Sequence, residues 1–256
     1  MTRVTRRGFV GGLAGLLGAV ATGCDWPSAT GPTASGSARL LARPGTPTLD
    51  GPLGLRALGL APTIDGAVYV SPTVVPDGPR PLVLLLHGAG GTGLNFIQGF
   101  IADADATGQV LLAVDSRRAT WDGIGGRFGP DIDFLDAALA DTFARYAIDP
   151  ARVAVAGFSD GATMALALGR ANGDLFTHTG AWSPGGLITD EKRGRTACFV
   201  THGRGDRVLP IDVTQRTVAR LRRDGHAVTY HEFLGGHELP ADLRLEAMQW
   251  MAAATA

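Results

Sequence analysis

The stretch from Val153 to Leu166 constrains this chain more than any other. An apolar, β-branched run stops at Gly157-Phe158-Ser159-Asp160-Gly161, and an alanine- and leucine-rich segment of helical composition follows without a gap. A strand that turns directly into a helix through one serine forces that residue into strained φ/ψ, and flanking glycines leave room for the two backbones to approach. The turn lifts the Ser159 hydroxyl out of the sheet and sets it at a helix N-terminus, where negative charge is favoured. With 37 glycines in 256 residues, the Gly-x-Ser-x-Gly spacing alone means little. The strand before it and the helix after it give it meaning.

The rest of the domain alternates in the same way. Pro81 to Leu86 is a continuous apolar run bounded by turn signals, as expected of a strand buried on both faces, and it ends in His87-Gly88-Ala89-Gly90-Gly91. Ala67 to Val70 reads as an early edge strand, Asn95 to Thr107 as a helix and Val110 to Val114 as a buried strand. Residues 115–130 form a long loop containing glycine and arginine. Ile132, Leu135, Leu139, Phe143 and Tyr146 then recur at helical spacing, with Pro130 and Asp131 suited to the first turn. Further strands are expected over 152–158, 177–183, 196–201 and 227–233, and helices over 211–223 and 239–254. Strands alternating with helices make a mostly parallel sheet flanked by helices, an α/β fold whose ligands collect at the carboxyl ends of the strands. Residues 184–195 are too few for a large cap.

A serine hydroxyl is a weak nucleophile at neutral pH and needs a base, itself oriented by a carboxylate. After Ser159 the chain offers Asp206, in a Gly-Asp-Arg-Val-Leu-Pro segment at a strand end, and then His237, before the last helix. Asp206 would orient His237, and His237 would take the proton of Ser159. Backbone N–H groups must then meet the oxyanion. Those of Asp160 and Ala89 are the candidates, with Gly90 next to them as a further donor or substrate contact. His202 reads as a support for the triad; His178, His226 and His231 read as packed or surface residues. Trp121 and Trp182 are expected to border a shallow, open cleft and touch substrate. No metal-ligand spacing and no cofactor motif is present. Asp131, Asp133 and Asp136 read as first-turn carboxylates answering a helix dipole.

Residues 1–24 read as an export signal: Arg6-Arg7 resemble a twin-arginine signal, and an uncharged, glycine-rich run follows, too short to span a membrane. Ala21-Thr22-Gly23-Cys24 resembles a lipobox, although Ala21 stands where a branched apolar residue is usual. Two outcomes stay open there, a lipoprotein tethered to the membrane surface through Cys24 and a freely secreted protein. Residues 25–50, rich in Pro, Ser, Thr and Gly, read as a flexible linker, and 51–256 as the catalytic domain. Without residues 1–23 the chain carries 20 basic against 24 acidic residues, a balance that argues against nucleic-acid binding. Cys198 lies in an apolar run with no domain cysteine to pair with and reads as a buried thiol.

From Pro81 to about Ala253 the chain resembles the phospholipase/carboxylesterase branch of the α/β-hydrolases, and also the polyhydroxybutyrate depolymerase and feruloyl esterase group of secreted enzymes. The resemblance is carried by His87 to Gly91, Gly157 to Gly161, Gly205-Asp206 with Val208-Leu209-Pro210, and Gly236-His237. It implies a serine carboxylic-ester hydrolase with the triad Ser159, Asp206 and His237, acting on small-molecule or polymeric esters. Asp160 departs from the Gln that many members have after the nucleophile. A carboxylate there would disfavour anionic substrates if it points inward. Readings that remain open are a lysophospholipase, a peptidase or thioesterase on the same triad, and a surface-anchored binding protein that has lost the chemistry.

Overall fold

A computed structural model describes residues 35–74 and 78–254. The expected export signal, with Cys24, and the first part of the linker lie outside the described residues. In chain order the elements are β1 (Gly54–Ala57), β2 (Gly66–Val70), β3 (Arg80–Leu86), α1 (Gly93–Gln98), α2 (Ile101–Thr107), β4 (Val110–Val114), α3 (Pro130–Arg145) and β5 (Ile148–Phe158). Then follow α4 (Asp160–Ala171), β6 (His178–Trp182), β7 (Ala197–Gly203), α5 (Ile211–Arg223), β8 (Val228–Phe233) and α6 (Ala241–Ala252).

The strands form one eight-stranded sheet in the order β1-β2-β4-β3-β5-β6-β7-β8. β1 and β2 run antiparallel to their neighbours and every later pairing is parallel. The apolar run of β3 is split by strand alternation. Leu82, Leu84 and Leu86 pack with α3 and α4 on one face, while Val83 and Leu85 pack with α1, α2 and α6 on the other. Both faces are therefore dry, which is why β3 and β4 carry no polar alternation. α5 covers the far end of the α4 face through Val218 and Leu221. No helix of the described residues is long and apolar enough to cross a membrane.

Three expectations change. The helix expected over Asn95–Thr107 is two helices, because the chain breaks at Gly99-Phe100 between α1 and α2. The strand expected at the edge over 67–70 is β2, paired on both sides, because β1 takes the edge with side chains that alternate between half-buried and exposed, a pattern too brief to read from sequence. The linker also ends earlier than residue 50. Ala38 and Leu40 are fully buried in the α3/α4 core, and Asn172 takes the Leu40 N–H at 2.8 Å and gives its amide to Ala38 O at 2.8 Å. Asp136 accepts from Leu41 and Ala42 N–H, while Arg39 and Arg43 pair with Asp174. A segment of linker composition is held because its backbone polar groups find partners and the Ala38 and Leu40 side chains find holes.

Between β6 and β7 the described chain has no helix or strand pair that could serve as a cap. Cys198 is buried and unpaired, and burial pushes its thiol up to about 12.

Candidate active site

Ser159 sits between β5 and α4 with φ 59° and ψ −121°, a left-handed conformation rare for a residue with a side chain. Two glycines make it attainable. A Cβ on Gly157 would lie 2.4 Å from the Gly161 carbonyl, and one on Gly161 would lie 2.0 Å from Leu86 O. Gly88 approaches the serine from the β3 turn, where an added Cβ would meet Ser159 Cβ at 3.3 Å.

The side chains expected to form a triad come together at the carboxyl ends of β5, β7 and β8. Ser159 Oγ–H donates to His237 Nε2 at 2.9 Å, and His237 Nδ1–H donates to Asp206 Oδ2 at 2.7 Å. The other carboxylate oxygen of Asp206 accepts the Val208 and Leu209 N–H groups at 2.8 and 2.9 Å. Burial alone would raise Asp206, but the Leu209 N–H, His237 and the Val208 N–H outweigh it and hold the carboxyl below its usual range. The group is an anion fixed in place, as an orienter of imidazole must be. The His237 ring packs on Phe158, centroids 4.8 Å apart.

His202 stands behind Asp206, fully buried. Its Nε2 lies 2.9 Å from Leu209 O and 3.2 Å from Asp206 Oδ2, and its Nδ1 lies 2.7 Å from Thr214 Oγ1. Two acceptors at Nε2 require the hydrogen there, and at Nδ1 the ring meets the Thr214 hydroxyl, which also lies 3.1 Å from Pro184 O. Burial lowers its pKa, and burial likewise lowers that of His178. Both stay neutral in the fold while the unfolded chain takes up protons below the ordinary histidine value of 6.5. Their contribution to stability is therefore complete above about pH 6.5 and is lost as pH falls from there toward the folded pKa values. Asp131, raised by burial, works in the opposite sense at lower pH. The expected result is a Tm that is level from pH 8 to 7 and falls from 6.5 to 6. A Tm that rises over that last interval would contradict it.

The Asp160 N–H is at the first position of α4, where no intrahelical acceptor exists. Among the described residues neither it nor the Ala89 N–H has a hydrogen-bond partner within the chain. Gly90 differs from the expectation: its N–H donates to Ala119 O at 2.7 Å and is spent on holding the 115–130 loop. The Asp160 carboxylate does not face the nucleophile unpartnered, since the Thr120 hydroxyl donates to it and the residue is buried.

The two tryptophans are more buried than a cleft border implies. Trp121 is 1% exposed; its Nε1–H donates to His87 O at 2.9 Å, and its ring packs on His87. Trp182 is fully buried against Phe100. Trp182 contributes to the site only through its backbone, accepting the Ser159 N–H at 2.9 Å. Both rings belong to the core, Trp121 on the α3/α4 face and Trp182 on the other, and Trp121 also lines a cavity under the 115–130 loop, none of which residue type could reveal. Asp131 takes the N–H groups of Arg117 and Asp122, so it ties down the 115–130 loop rather than only answering the α3 dipole. Sequence reasoning missed Phe158 under the imidazole and Thr120 on Asp160. The first sits inside the serine motif, but no signal marks the second.

The strand order, with a strained serine after β5 facing a histidine and an aspartate from later strand ends, is the α/β-hydrolase fold. No protein-family model matches the chain. It is similar to feruloyl esterase C of Emericella nidulans, with 31% identity over 163 residues, 58% of this chain and 58% of that one. It is also similar to the putative esterase NocK of Nocardia uniformis subsp. tsuyamanensis, with 34% identity over 110 residues, 40% of this chain and 32% of that one. The chain thus matches less than two thirds of either relative's length. Among solved structures, esterase PE8 superposes with a TM-score of 0.61 at 22% identity, over 73% of this chain and 97% of that one. A phospholipase/carboxylesterase from Dyadobacter fermentans does so with a TM-score of 0.56 at 20% identity, over 81% and 99%. At these identities the structural likeness is one of fold.

Proposed function

We propose that the chain is an exported serine carboxylesterase that works through an acyl-enzyme. The observation that carries the proposal is the hydrogen-bonded relay from Ser159 through His237 to Asp206. Ser159 Oγ attacks the ester carbonyl carbon as His237 Nε2 takes its proton, and the negative charge moves onto the carbonyl oxygen. The N–H groups of Asp160 and Ala89 meet that charge, and the N-terminus of α4 favours it. Collapse expels the alcohol, which receives the proton from His237. Water then repeats the sequence on the acyl-enzyme and frees the acid and Ser159. Asp206 stays ionised throughout, fixing the tautomer and stabilising the imidazolium.

The esterase names of the two curated relatives support an ester as the substrate. The open connection between β6 and β7 supports short acyl groups or the ends and loops of a polymer over a long buried chain. Export, and a membrane-surface tether through Cys24, rest on residues 1–24 alone. The test is a p-nitrophenyl ester series from acetate to palmitate, together with labelling by a fluorophosphonate. Turnover should peak at short acyl chains, and the label should map to Ser159. Activity rising toward palmitate would favour a lysophospholipase, and an unlabelled Ser159 would overturn the nucleophile assignment.

A further inference from the structure

A cavity of about 510 Å³ is walled by the 115–130 loop and the start of α3. Ala119 and Thr120 line it, and the same two residues bind the site from behind, Ala119 through the Gly90 N–H and Thr120 through the Asp160 carboxylate. The loop that walls the cavity is thus hydrogen-bonded to the two segments that flank the nucleophile, the 87–91 turn and the start of α4.

Its charge is unusual for this chain. Three arginines and two aspartates line it, although acids outnumber bases once residues 1–23 are set aside. The aspartates are mostly engaged: Asp131 accepts the Arg117 and Asp122 N–H groups, and Asp122 Oδ2 accepts those of Gly129 and Asp131, while the buried Asp122 Oδ1 has no partner among the described residues. Arg117 is also committed, donating to Ile64 O and Asp115 O with its guanidinium 3.7 Å from the Phe134 ring centroid. Arg118 and Arg127 are not. Both are exposed, and among the described residues neither guanidinium has a hydrogen bond or an ion pair, as is also true of Arg207 and Arg223 elsewhere on the surface. Two uncommitted guanidiniums over a concave wall are the donor set that recognises a carboxylate. The Asp160 charge, which would have opposed an anion there, is hydrogen-bonded by Thr120.

We infer that this cavity receives a carboxylate carried by the ester substrate, held by Arg118 and Arg127, so that the preferred substrates are half-esters or other carboxylate-bearing esters. The inference deepens the esterase reading and rests on it for turnover, but binding tests it separately. Two matched pairs are compared by kcat/KM: mono-p-nitrophenyl glutarate against p-nitrophenyl valerate, with the charge on the acyl side, and 4-acetoxybenzoate against phenyl acetate, with the charge on the alcohol side. In one pair the anionic ester should be preferred. The double variant Arg118→Gln/Arg127→Gln should cut that preference by about tenfold or more, as expected for loss of charge-assisted hydrogen bonds. Arg216→Gln, on α5 and paired with Asp212, should leave the ratio unchanged, which separates local recognition from net charge. Titration calorimetry of monomethyl glutarate into the Ser159→Ala variant reads the site without turnover, and the signal should weaken in the triple variant. Binding without turnover of any ester would keep the carboxylate site and sink the esterase reading. Turnover with no anionic preference in either pair, or a preference that survives the double variant, would overturn the carboxylate site.

Discussion

Ser159→Ala and His237→Ala are each expected to lower kcat on p-nitrophenyl acetate by about 10⁴- to 10⁶-fold, and the double variant to lose no more than the worse of the two. The argument is geometric. Ser159 Oγ and His237 Nε2 are 2.9 Å apart, so neither works without the other: a hydroxyl with no base keeps its proton, and an imidazole with no hydroxyl has nothing to activate. Groups that act as one unit do not contribute additively. What remains should be the catalysis given by the N–H groups of Asp160 and Ala89, which neither substitution removes. His237 is half-buried on the loop after β8, and its ring is lost mainly from the face of Phe158, so the melting temperature should fall little. A loss below about tenfold in either single variant, or a double variant showing the product of the two losses, would mean that the relay does not carry the reaction.

Gly161→Ala should destabilise the whole fold, by about 3 kcal/mol or more, as an overpacked substitution at a rigid site does. The new methyl would sit 2.0 Å from Leu86 O and 2.5 Å from His87 O. These are backbone atoms of the central strand β3 and its turn, and they cannot rotate away as a side-chain end would. Relief requires α4 to lift from β3, which would open the core around Leu82, Leu84, Met164 and Ala165. Urea unfolding followed by circular dichroism measures the change, and Gly236→Ala is the contrast, since an added Cβ there meets nothing within 4 Å. Equal midpoints for the two variants would show that the β5–α4 turn tolerates the methyl.

The parallel strands, the serine turn and the order of the three site residues can be read from the chain. Each is a local statement. β4 and α5 fall where their composition puts them, over Val110–Val114 and Ile211–Arg223, because buried strands and amphipathic helices write their period into consecutive residues. The strain at Ser159 is equally local, since the glycines that permit it are two residues away. Which polar groups are free depends on how the chain is folded together. Gly90 and Ala89 look alike in the chain, yet one N–H is spent on Ala119 and the other is not. Asp160 appeared as a charge beside the nucleophile until the loop placed Thr120 on it. Trp121 and Trp182, legible only as large aromatics, proved to be core, and the tail from Ala38 to Ala42 proved to be docked. A hydrogen bond or a packing contact across many residues depends on where the backbone has been carried. That position is set by the whole sheet and by no short stretch of residues.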